Sequence, residues 1–425
     1  MARIAEALAA VSLVACGQAP EADPAACETD ADEDGFVDAR CGGDDCDDAD
    51  DGVHPEAWEG PQGWRWETLD PTWNARGAGI AVGRDGALHV VWVLPDGPRY
   101  ATDRGGRWTI ERIADAEPEG RIALVLDAEE SPIAGWVASD EAGSLVLIAR
   151  RGADGWQIED LAASPNHGHV ALAVDGLGVL HAAWADRDGV RHGAHDGAGW
   201  QVETVPSLDL AQGSHGPPAL AVDTESRVHV AFAAGGRLCH SVREEGGWTT
   251  DLVEDVGVLG LEPPAVAAGL DGVVHVVYQH PRLDEVRHAF GSAGGFSIET
   301  VDDAGRTGVS VSIAFDSAGA LHLGYARMDG PPRHAAASRS GFVLASADVY
   351  GVDPAIALGA DDVVHMVYAW GGGPLRHAAS SADPWLDADC DGVPTDADGD
   401  GFLGGRIAQD CDDADPEVHE SCADW

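Results

Sequence analysis

The sequence contains no lysine: all 25 basic residues are arginines, against 74 acidic residues and a formal net charge of −49. A field of that sign repels nucleic acid and anionic lipid, so neither is expected as a partner. Tyrosine and methionine are also scarce, at 5 and 3 residues. No run of 18 apolar residues occurs, so the sequence predicts no membrane-spanning helix.

A repeated unit of 43 to 48 residues fills the middle of the chain and occurs seven times. Its second apolar run ends in an aromatic residue, with a histidine three positions earlier in six copies and Ile133 in the remaining one. The aromatic residues are Trp92, Trp136, Trp184, Phe232, Tyr278, Tyr325 and Tyr368. The histidines are His89, His181, His229, His275, His322 and His365.

The third apolar run of the unit carries a second histidine, and an aromatic residue follows eight positions later. The second histidines are His192, His240, His288, His334 and His377, with Tyr100 as a variant. The later aromatic residues are Trp108, Trp156, Trp200, Trp248, Phe296, Phe342 and Trp385. Histidines that recur in nearly every unit indicate packing and hydrogen bonding rather than catalysis. His167, His169, His195, His215 and His280 fall outside the repeat, and their spacing supports no site.

Four short apolar runs per unit are typical of a β-propeller blade. The sequence therefore predicts an all-β fold, a seven-bladed β-propeller over residues 61–385. Residues 63–69 match the last strand of a unit, which the seventh copy lacks, so we expect this N-terminal strand to close the last blade. The turn from Asp103 to Trp108 resembles a degenerate Asp-box, and the repeat resembles the BNR or sialidase-like propellers of bacterial secreted proteins. Fold alone does not imply an activity.

The N-terminus resembles a bacterial lipoprotein signal, because Leu13-Val14-Ala15-Cys16 follows a short apolar segment. The resemblance implies a signal peptide over residues 1–16, lipidation of Cys16 and a tether over residues 17–29. An ordinary secretory signal or a misplaced start codon is the alternative. We expect an extracytoplasmic protein, at the outer membrane or cell surface, or otherwise secreted or periplasmic. A lipid anchor would then be its membrane contact.

Two copies of one acidic motif flank the repeats, over residues 30–60 and 386–425. Each combines D-x-D-x-D-G-F with D-C-D-D-A-D, and alternating aspartates before a glycine wrap carboxylates around a hard cation. An EF-hand would carry glutamate where this chain has Cys41 and Ile407. The expected calcium ligands are Asp30, Asp32, Asp34, Phe36 (carbonyl), Asp38, Asp45, Asp47, Asp48, Asp50, Asp387, Asp389, Asp391, Asp396, Asp398, Asp400, Phe402 (carbonyl), Asp410, Asp412, Asp413 and Asp415. They suffice for two or three calcium ions, the one cofactor expected; a solvated acidic linker is the alternative.

The paired motif resembles the MopE-type metal-binding motif of bacterial surface proteins and, more loosely, the thrombospondin type 3 calcium repeat. That family is taken to bind calcium, and a member is associated with copper. This chain lacks a methionine or cysteine–histidine cluster suited to copper, which favours calcium.

Cysteine use indicates an oxidising compartment. Three disulfide candidates lie in each acidic block, so at least one bridge joins the blocks if all six pair with one another. Incomplete pairing or a bond to Cys239, which stands alone in the repeats, is the alternative. The six candidates are Cys27, Cys41, Cys46, Cys390, Cys411 and Cys422.

Three functions remain open. The first is a calcium-stabilised, lipid-anchored binding or scaffold protein with a protein or glycan ligand on a propeller face. The second is a lectin, because arginine, glutamate and tryptophan recur in the unit and bind sugars between the blades of fucose-binding propellers. Its candidate residues are Arg99, Arg191, Arg287, Arg333 and Arg376 with Glu67, Glu111, Glu159, Glu203 and Glu299. The third is a sialidase-like glycosidase, for which none of the five tyrosines stands out as a nucleophile. We favour binding over catalysis.

Overall fold

The computed structural model describes residues 64–380, except 105–106, 116–117, 141–142, 164, 209–214, 258–261, 293, 305–306, 328–329, 339–340, 349 and 371–372. The predicted signal peptide, tether and both calcium motifs lie outside these residues, as do Cys16, the six disulfide candidates and Trp385. Nothing in the structure tests those predictions. No helix in the described part is long and apolar enough to cross a membrane.

The described residues form 28 β-strands in seven four-stranded antiparallel sheets, the blades of a propeller. Blade 1 comprises β2 (Arg76–Val82), β3 (Leu88–Leu94), β4 (Gly97–Thr102) and β5 (Thr109–Arg112). Blade 2 comprises β6 (Ala123–Leu126), β7 (Pro132–Asp140), β8 (Gly143–Gly152) and β9 (Gly155–Ala163). Blade 3 comprises β10 (Pro165–Val174), β11 (Leu180–Asp186), β12 (Gly189–His195) and β13 (Trp200–Val205).

The remaining four blades repeat the same order of strands. Blade 4 comprises β14 (Ala219–Val222), β15 (Val228–Ala234), β16 (Arg237–Glu244) and β17 (Gly247–Asp255). Blade 5 comprises β18 (Ala265–Ala268), β19 (Val274–His280), β20 (Glu285–Ser292) and β21 (Gly295–Asp302). Blade 6 comprises β22 (Thr307–Phe315), β23 (Leu321–Arg327), β24 (Pro332–Ser338) and β25 (Gly341–Ser346). Blade 7 comprises β26 (Val352–Leu358), β27 (Val364–Ala369), β28 (Leu375–Ser380) and β1 (Trp64–Asp70).

The order β1-β28-β27-β26 in blade 7 confirms the predicted closure, because the first described strand completes the last blade. Blade 7 therefore has four strands like the other six blades, and β1 covers the edge that β28 would otherwise expose. Residues 67–379 form one compact unit.

The core lies between neighbouring blades and is built from the repeated aromatic residues. Each of these seven side chains is at most 1% exposed, and small or β-branched residues of the adjoining blade pack against it. Neighbouring blades also approach closely through their backbones: a Cβ on Gly120 would lie 2.0 Å from the carbonyl oxygen of Gly168 in blade 3. Cys239 is fully buried in blade 4, within the same kind of cluster.

Candidate functional site

Two imidazole rings stack inside five of the seven blades, one from the second strand and one from the third. The ring centroids are 5.1 to 5.3 Å apart, and Nδ1 of the first ring lies 2.8 to 3.1 Å from Nε2 of the second. The pairs are His181–His192, His229–His240, His275–His288, His322–His334 and His365–His377. These hydrogen bonds confirm the structural role predicted for the repeated histidines.

Burial lowers the pKa of the histidines in the His181–His192, His229–His240 and His275–His288 pairs, and of His334 and His365. The pKa of His192 is lowered to about 4 and that of His240 to about 3, above all by desolvation, with a smaller contribution from the neighbouring imidazole. In each such hydrogen bond one ring donates a proton to the other, and the nearest carboxylate determines which ring is the donor.

Three of the five tyrosines join neighbouring blades. Tyr278, Tyr325 and Tyr368 donate their hydroxyl protons to Glu254, Asp302 and Asp348, which belong to the preceding blade, over 2.6 to 2.9 Å. An arginine from the third strand binds the same carboxylate in each case: Arg287, Arg333 and Arg376. Burial raises the pKa of all three tyrosines, so none is an activated nucleophile of the sialidase kind.

The arginines and glutamates predicted as sugar ligands do not meet. Arg191 binds Asp186, whereas its strand neighbour His192 lies opposite Glu203 in the β12–β13 pairing and contacts that carboxylate at 3.1 Å. Consecutive residues of a strand point to opposite faces, so the arginine and the glutamate cannot converge. The other four arginines likewise bind different acids, Asp96, Glu254, Asp302 and Asp348. The predicted grouping was wrong in its choice of arginine.

The repeated glutamates and tryptophans do join neighbouring blades. The indole N–H groups of Trp108, Trp156 and Trp200 donate to Glu67, Glu111 and Glu159 over 2.8 to 3.3 Å. Glu67 also accepts a hydrogen bond from His377, so the closing strand is held to blade 1 and to its own blade. These contacts hold neighbouring blades together.

A cleft of about 450 Å³ lies between blades 1 and 2. We call it cleft 1/2; its lining is polar, and its residues are His89, Tyr100, Thr102, Arg104, Thr109, Glu129, Glu130, Ser131, Pro132, Arg151, Gly152 and Ala153. Arg151 is 44% exposed and binds Glu111 through two nitrogens, at 2.6 and 3.3 Å. The ring of Trp156 packs edge-on against Tyr100, with the centroids 5.4 Å apart.

A second cleft, of about 320 Å³, lies between blades 3 and 4. We call it cleft 3/4; its residues are His181, His192, Ala194, Gln201, Val202, Glu203, Ser226, Val228 and Arg243. Arg243 is 43% exposed and binds Glu203 at 2.5 Å, and Trp248 packs edge-on against His192 at 5.4 Å. Burial raises the pKa of Glu203, but the hydrogen bonds from Arg243 and His192 outweigh it and hold the pKa below its ordinary value.

The two clefts share one arrangement, an arginine at the end of the third strand bound to the glutamate of the preceding blade. Both arginines stand five residues before the tryptophan of their unit, in Arg151-x-x-x-x-Trp156 and Arg243-x-x-x-x-Trp248. The other units carry Asp103, His195, Gly291, Ala337 or Ser380 at this position. The R-x4-W spacing was the signal in the sequence, and it was missed because it occurs in two units rather than in all.

The described residues contain no group of three histidine, cysteine, aspartate or glutamate side chains arranged to hold a metal ion. The predicted calcium ligands are not among these residues.

The sequence matches no protein-family profile and none of the curated proteins compared with it. Among solved structures, the described fold is similar to a catalytically inactive virginiamycin B lyase from Staphylococcus aureus: the TM-score is 0.52 and the identity 12%, over 74% of this chain and 99% of that one. The Aleuria aurantia lectin gives a TM-score of 0.46 at 14% identity, over 63% and 91%. The NanB sialidase from Streptococcus pneumoniae gives 0.43 at 10%, over 74% and 69%. At these identities the similarity establishes the propeller fold and no activity.

Proposed function

We propose that this chain is an extracytoplasmic binding protein that holds a glycan in clefts 1/2 and 3/4. The observation that carries the proposal is a half-exposed arginine–glutamate pair at each cleft: Arg151, bound to Glu111, lines cleft 1/2, and Arg243 and Glu203 both line cleft 3/4. Such a pair presents fixed donors and acceptors, and hydroxyl and amide groups of Thr102, Thr109 and Gln201 add to them. A polar, open cleft of this kind suits a ligand that consists mainly of hydroxyl groups.

Binding is favoured over catalysis because the tyrosines that a sialidase-like mechanism would use are engaged elsewhere. Tyr278, Tyr325 and Tyr368 are at most 1% exposed and bound to carboxylates of the neighbouring blade. Tyr100 lies in cleft 1/2, but burial raises its pKa to about 12, so the phenolate needed for nucleophilic attack is scarce.

The remaining parts of the proposal rest on sequence motifs. Cys16 would carry a lipid that anchors the protein at the outer membrane or cell surface, and residues 30–60 and 386–425 would bind two or three calcium ions. Carboxylates this dense repel one another strongly, so bound cations would stabilise both segments.

The proposal is tested by calorimetry of the full chain with a panel of methyl glycosides, using Arg151→Ala, Arg243→Ala and the double variant. Loss of a charged hydrogen bond is expected to weaken its own site by about tenfold or more, and the double variant should lose both sites. Arg191→Ala is the matched control, because Arg191 pairs with Asp186 and lines neither cleft. Unchanged binding in the double variant contradicts the proposal.

A protein ligand is the second candidate, favoured by exposed aromatic side chains on the loops of blade 7. Trp73 is 66% exposed and Trp370 is 36% exposed, and the two loops are joined by a hydrogen bond from the Ala75 amide to the Gly373 carbonyl. Arg376 lies 4.8 Å from the centroid of the Trp370 ring, a cation–π contact. Trp73→Ser should weaken a protein complex and leave glycoside binding unchanged.

A further inference from the structure

The hairpin turn between the first and second strands has the same backbone hydrogen bond in all seven blades. The amide six residues before the second-strand histidine, or before Ile133 in blade 2, donates to the carbonyl four residues later. In blades 3, 4 and 6 an aspartate occupies this position: Asp175, Asp223 and Asp316. Oδ2 of each aspartate lies 3.2 to 3.6 Å from Nε2 of the second-strand histidine in the same blade. A carboxylate therefore faces the imidazole wherever this aspartate precedes a histidine.

Blade 1 has Gly83 at this position. The carboxylates of Asp85 and Glu130 lie 2.7 and 2.9 Å from where its Cβ would be, but neither is hydrogen-bonded to His89. Asp85, two residues later, accepts hydrogen bonds from the Ala87 amide and from Arg104 instead. His89 is 2% exposed, and its Nε2 has no hydrogen-bond partner among the described residues. A buried polar atom left unsatisfied destabilises the protein, and His89 lines cleft 1/2.

The neighbours of His89 determine which of its nitrogens carries the proton. Its Nδ1 lies 2.6 Å from the hydroxyl oxygen of Tyr100. Tyr100 keeps its proton because burial raises its pKa to about 12, and Nδ1 of His89 is the acceptor for that proton. The ring proton is then on Nε2, which makes this atom an unused donor.

The charges that line cleft 1/2 also bear on its ligand. Arg104 and Arg151 lie beside His89, where they are paired with Asp85 and Glu111, and Glu129 and Glu130 come from the turn of blade 2. Glu130 is bound to the side chain and the amide of Arg84, and Glu129 is exposed, where solvent screens its charge.

We propose that cleft 1/2 binds an acidic sugar whose carboxylate accepts a hydrogen bond from His89 Nε2, in the place that Asp175, Asp223 and Asp316 fill in blades 3, 4 and 6. The inference rests on the proposed glycan-binding function and names the chemical class of ligand for one of its two sites. Cleft 3/4 offers no such donor. Nε2 of His181, the corresponding atom, already faces the carboxylate of Asp175 at 3.6 Å.

The test compares two probes that differ at one group, methyl glucuronide and methyl glucoside, together with the galacturonide and galactoside pair, by calorimetry on the full chain. At the Arg151-dependent site we expect a uronide to bind about tenfold or more tightly than its neutral partner. His89→Phe should abolish this preference. Gly83→Asp should abolish it as well, because it places an aspartate where the other blades have one and leaves His89 unchanged. Its Cβ would lie 2.7 Å from Asp85 and 2.9 Å from Glu130, so these two flexible side chains must shift.

Blade 5 provides the matched controls. Gly269 precedes His275 by six residues, just as Gly83 precedes His89, and a Cβ on either glycine would lie 2.7 Å from the carboxylate two residues later. His275 lines neither cleft. Gly269→Asp and His275→Phe should therefore keep the preference for the uronide, and thermal melts of all four variants show whether the fold is retained.

Equal affinity for the acidic and neutral sugars at the Arg151-dependent site overturns the inference and leaves the proposed function in place. Glycoside binding that depends on Arg243 and not on Arg151 does the same. Absence of any glycoside binding, or binding that is unchanged in the double variant, overturns both. Nitrogen-15 NMR of the ligand-free protein is the independent measurement. The imidazole signals that disappear in His89→Phe belong to His89, and they should show a protonated Nε2. An unprotonated Nε2 overturns the inference.

Discussion

Arg121 and Asp353 are 232 residues apart in sequence, yet Nη2 of Arg121 lies 3.0 Å from Oδ1 of Asp353. The pair connects the segment before blade 2 with the first strand of blade 7, past blade 1. Asp353 also accepts hydrogen bonds from Ser310 of blade 6 at 2.6 Å and from the Gly77 amide of blade 1 at 3.4 Å. One carboxylate thus connects four consecutive parts of the ring on both sides of its closure.

Asp353→Ala should lower the free energy of unfolding by about 1–3 kcal/mol, less than for a fully buried ion pair because both side chains are a quarter to a third exposed. Asp353 also has a positive φ of 53°, which asparagine tolerates better than alanine. Asp353→Asn should therefore lose the charge and little of the backbone preference. Urea unfolding of both variants separates the two effects; equal stability of all three proteins would show that the carboxylate does not hold the ring closed.

The histidine pairs make stability dependent on pH. Burial lowers the folded-state pKa of His192, His275, His334 and His365 to about 4 and that of His240 to about 3. Below about pH 6.5 the unfolded chain binds protons at these histidines and the folded protein does not, which favours the unfolded state. The histidines therefore reduce stability only below that pH. Stability should fall steadily between pH 6.5 and 4 and level off below.

A series of thermal melts from pH 8 to pH 4 checks this expectation. His240→Gln removes one buried titrating ring and keeps a donor for His229, so its melting temperature should fall less with pH than that of the parent. His195→Gln is the control, because His195 belongs to none of the five pairs. If the melting temperatures of His240→Gln and the parent fall in parallel with pH, the buried histidine pairs are not the cause of the pH dependence.

The tyrosine–carboxylate contacts between blades should contribute to stability and not to ligand binding. Tyr325→Phe deletes the hydroxyl that donates to Asp302 and keeps the ring in its fully buried site, so the free energy of unfolding should fall by about 1–2 kcal/mol. Arg333 still binds Asp302, which limits the loss. Denaturant unfolding measures it, and unchanged glycoside affinity in the same variant distinguishes a packing role from a role at a site.

Calcium should bind to the full chain with a stoichiometry of two or three and raise its melting temperature. The alternating aspartates of residues 30–60 and 386–425 supply the oxygen ligands that calcium prefers. Calorimetry after chelator treatment gives the stoichiometry, and a thermal melt in parallel gives the stabilisation. Asp34→Asn together with Asp400→Asn should weaken binding. Absence of both heat and a melting shift would identify the two segments as acidic linkers.

The periodicity of the sequence predicted most of the fold. The seven aromatic residues from Trp92 to Tyr368 gave the number of blades, and residues 63–69 gave the closing strand, because both signals depend on local spacing that every unit repeats. The functional interpretation did worse. Arg191 and its counterparts were grouped with the glutamates because they recur, whereas alternation along the strand places them on the opposite face.

The residues that define the clefts could be recognised only when blades were placed side by side. Arg151 meets Glu111 across a blade boundary, 40 residues apart, and the same is true of Arg243 and Glu203. The unused donor of His89 arises because Gly83 supplies no carboxylate and Tyr100 occupies the other ring nitrogen, and both conditions are met in blade 1.

The sequence alone determined the all-β repeat, its closure by the first strand and the composition of the acidic flanks, because strand alternation and turn residues act within a few positions. The tertiary structure decided which charges pair and which polar atoms stay unsatisfied. Those outcomes depend on contacts between residues about 40 positions apart in neighbouring blades, and on burial, which changes the pKa of the histidines and tyrosines.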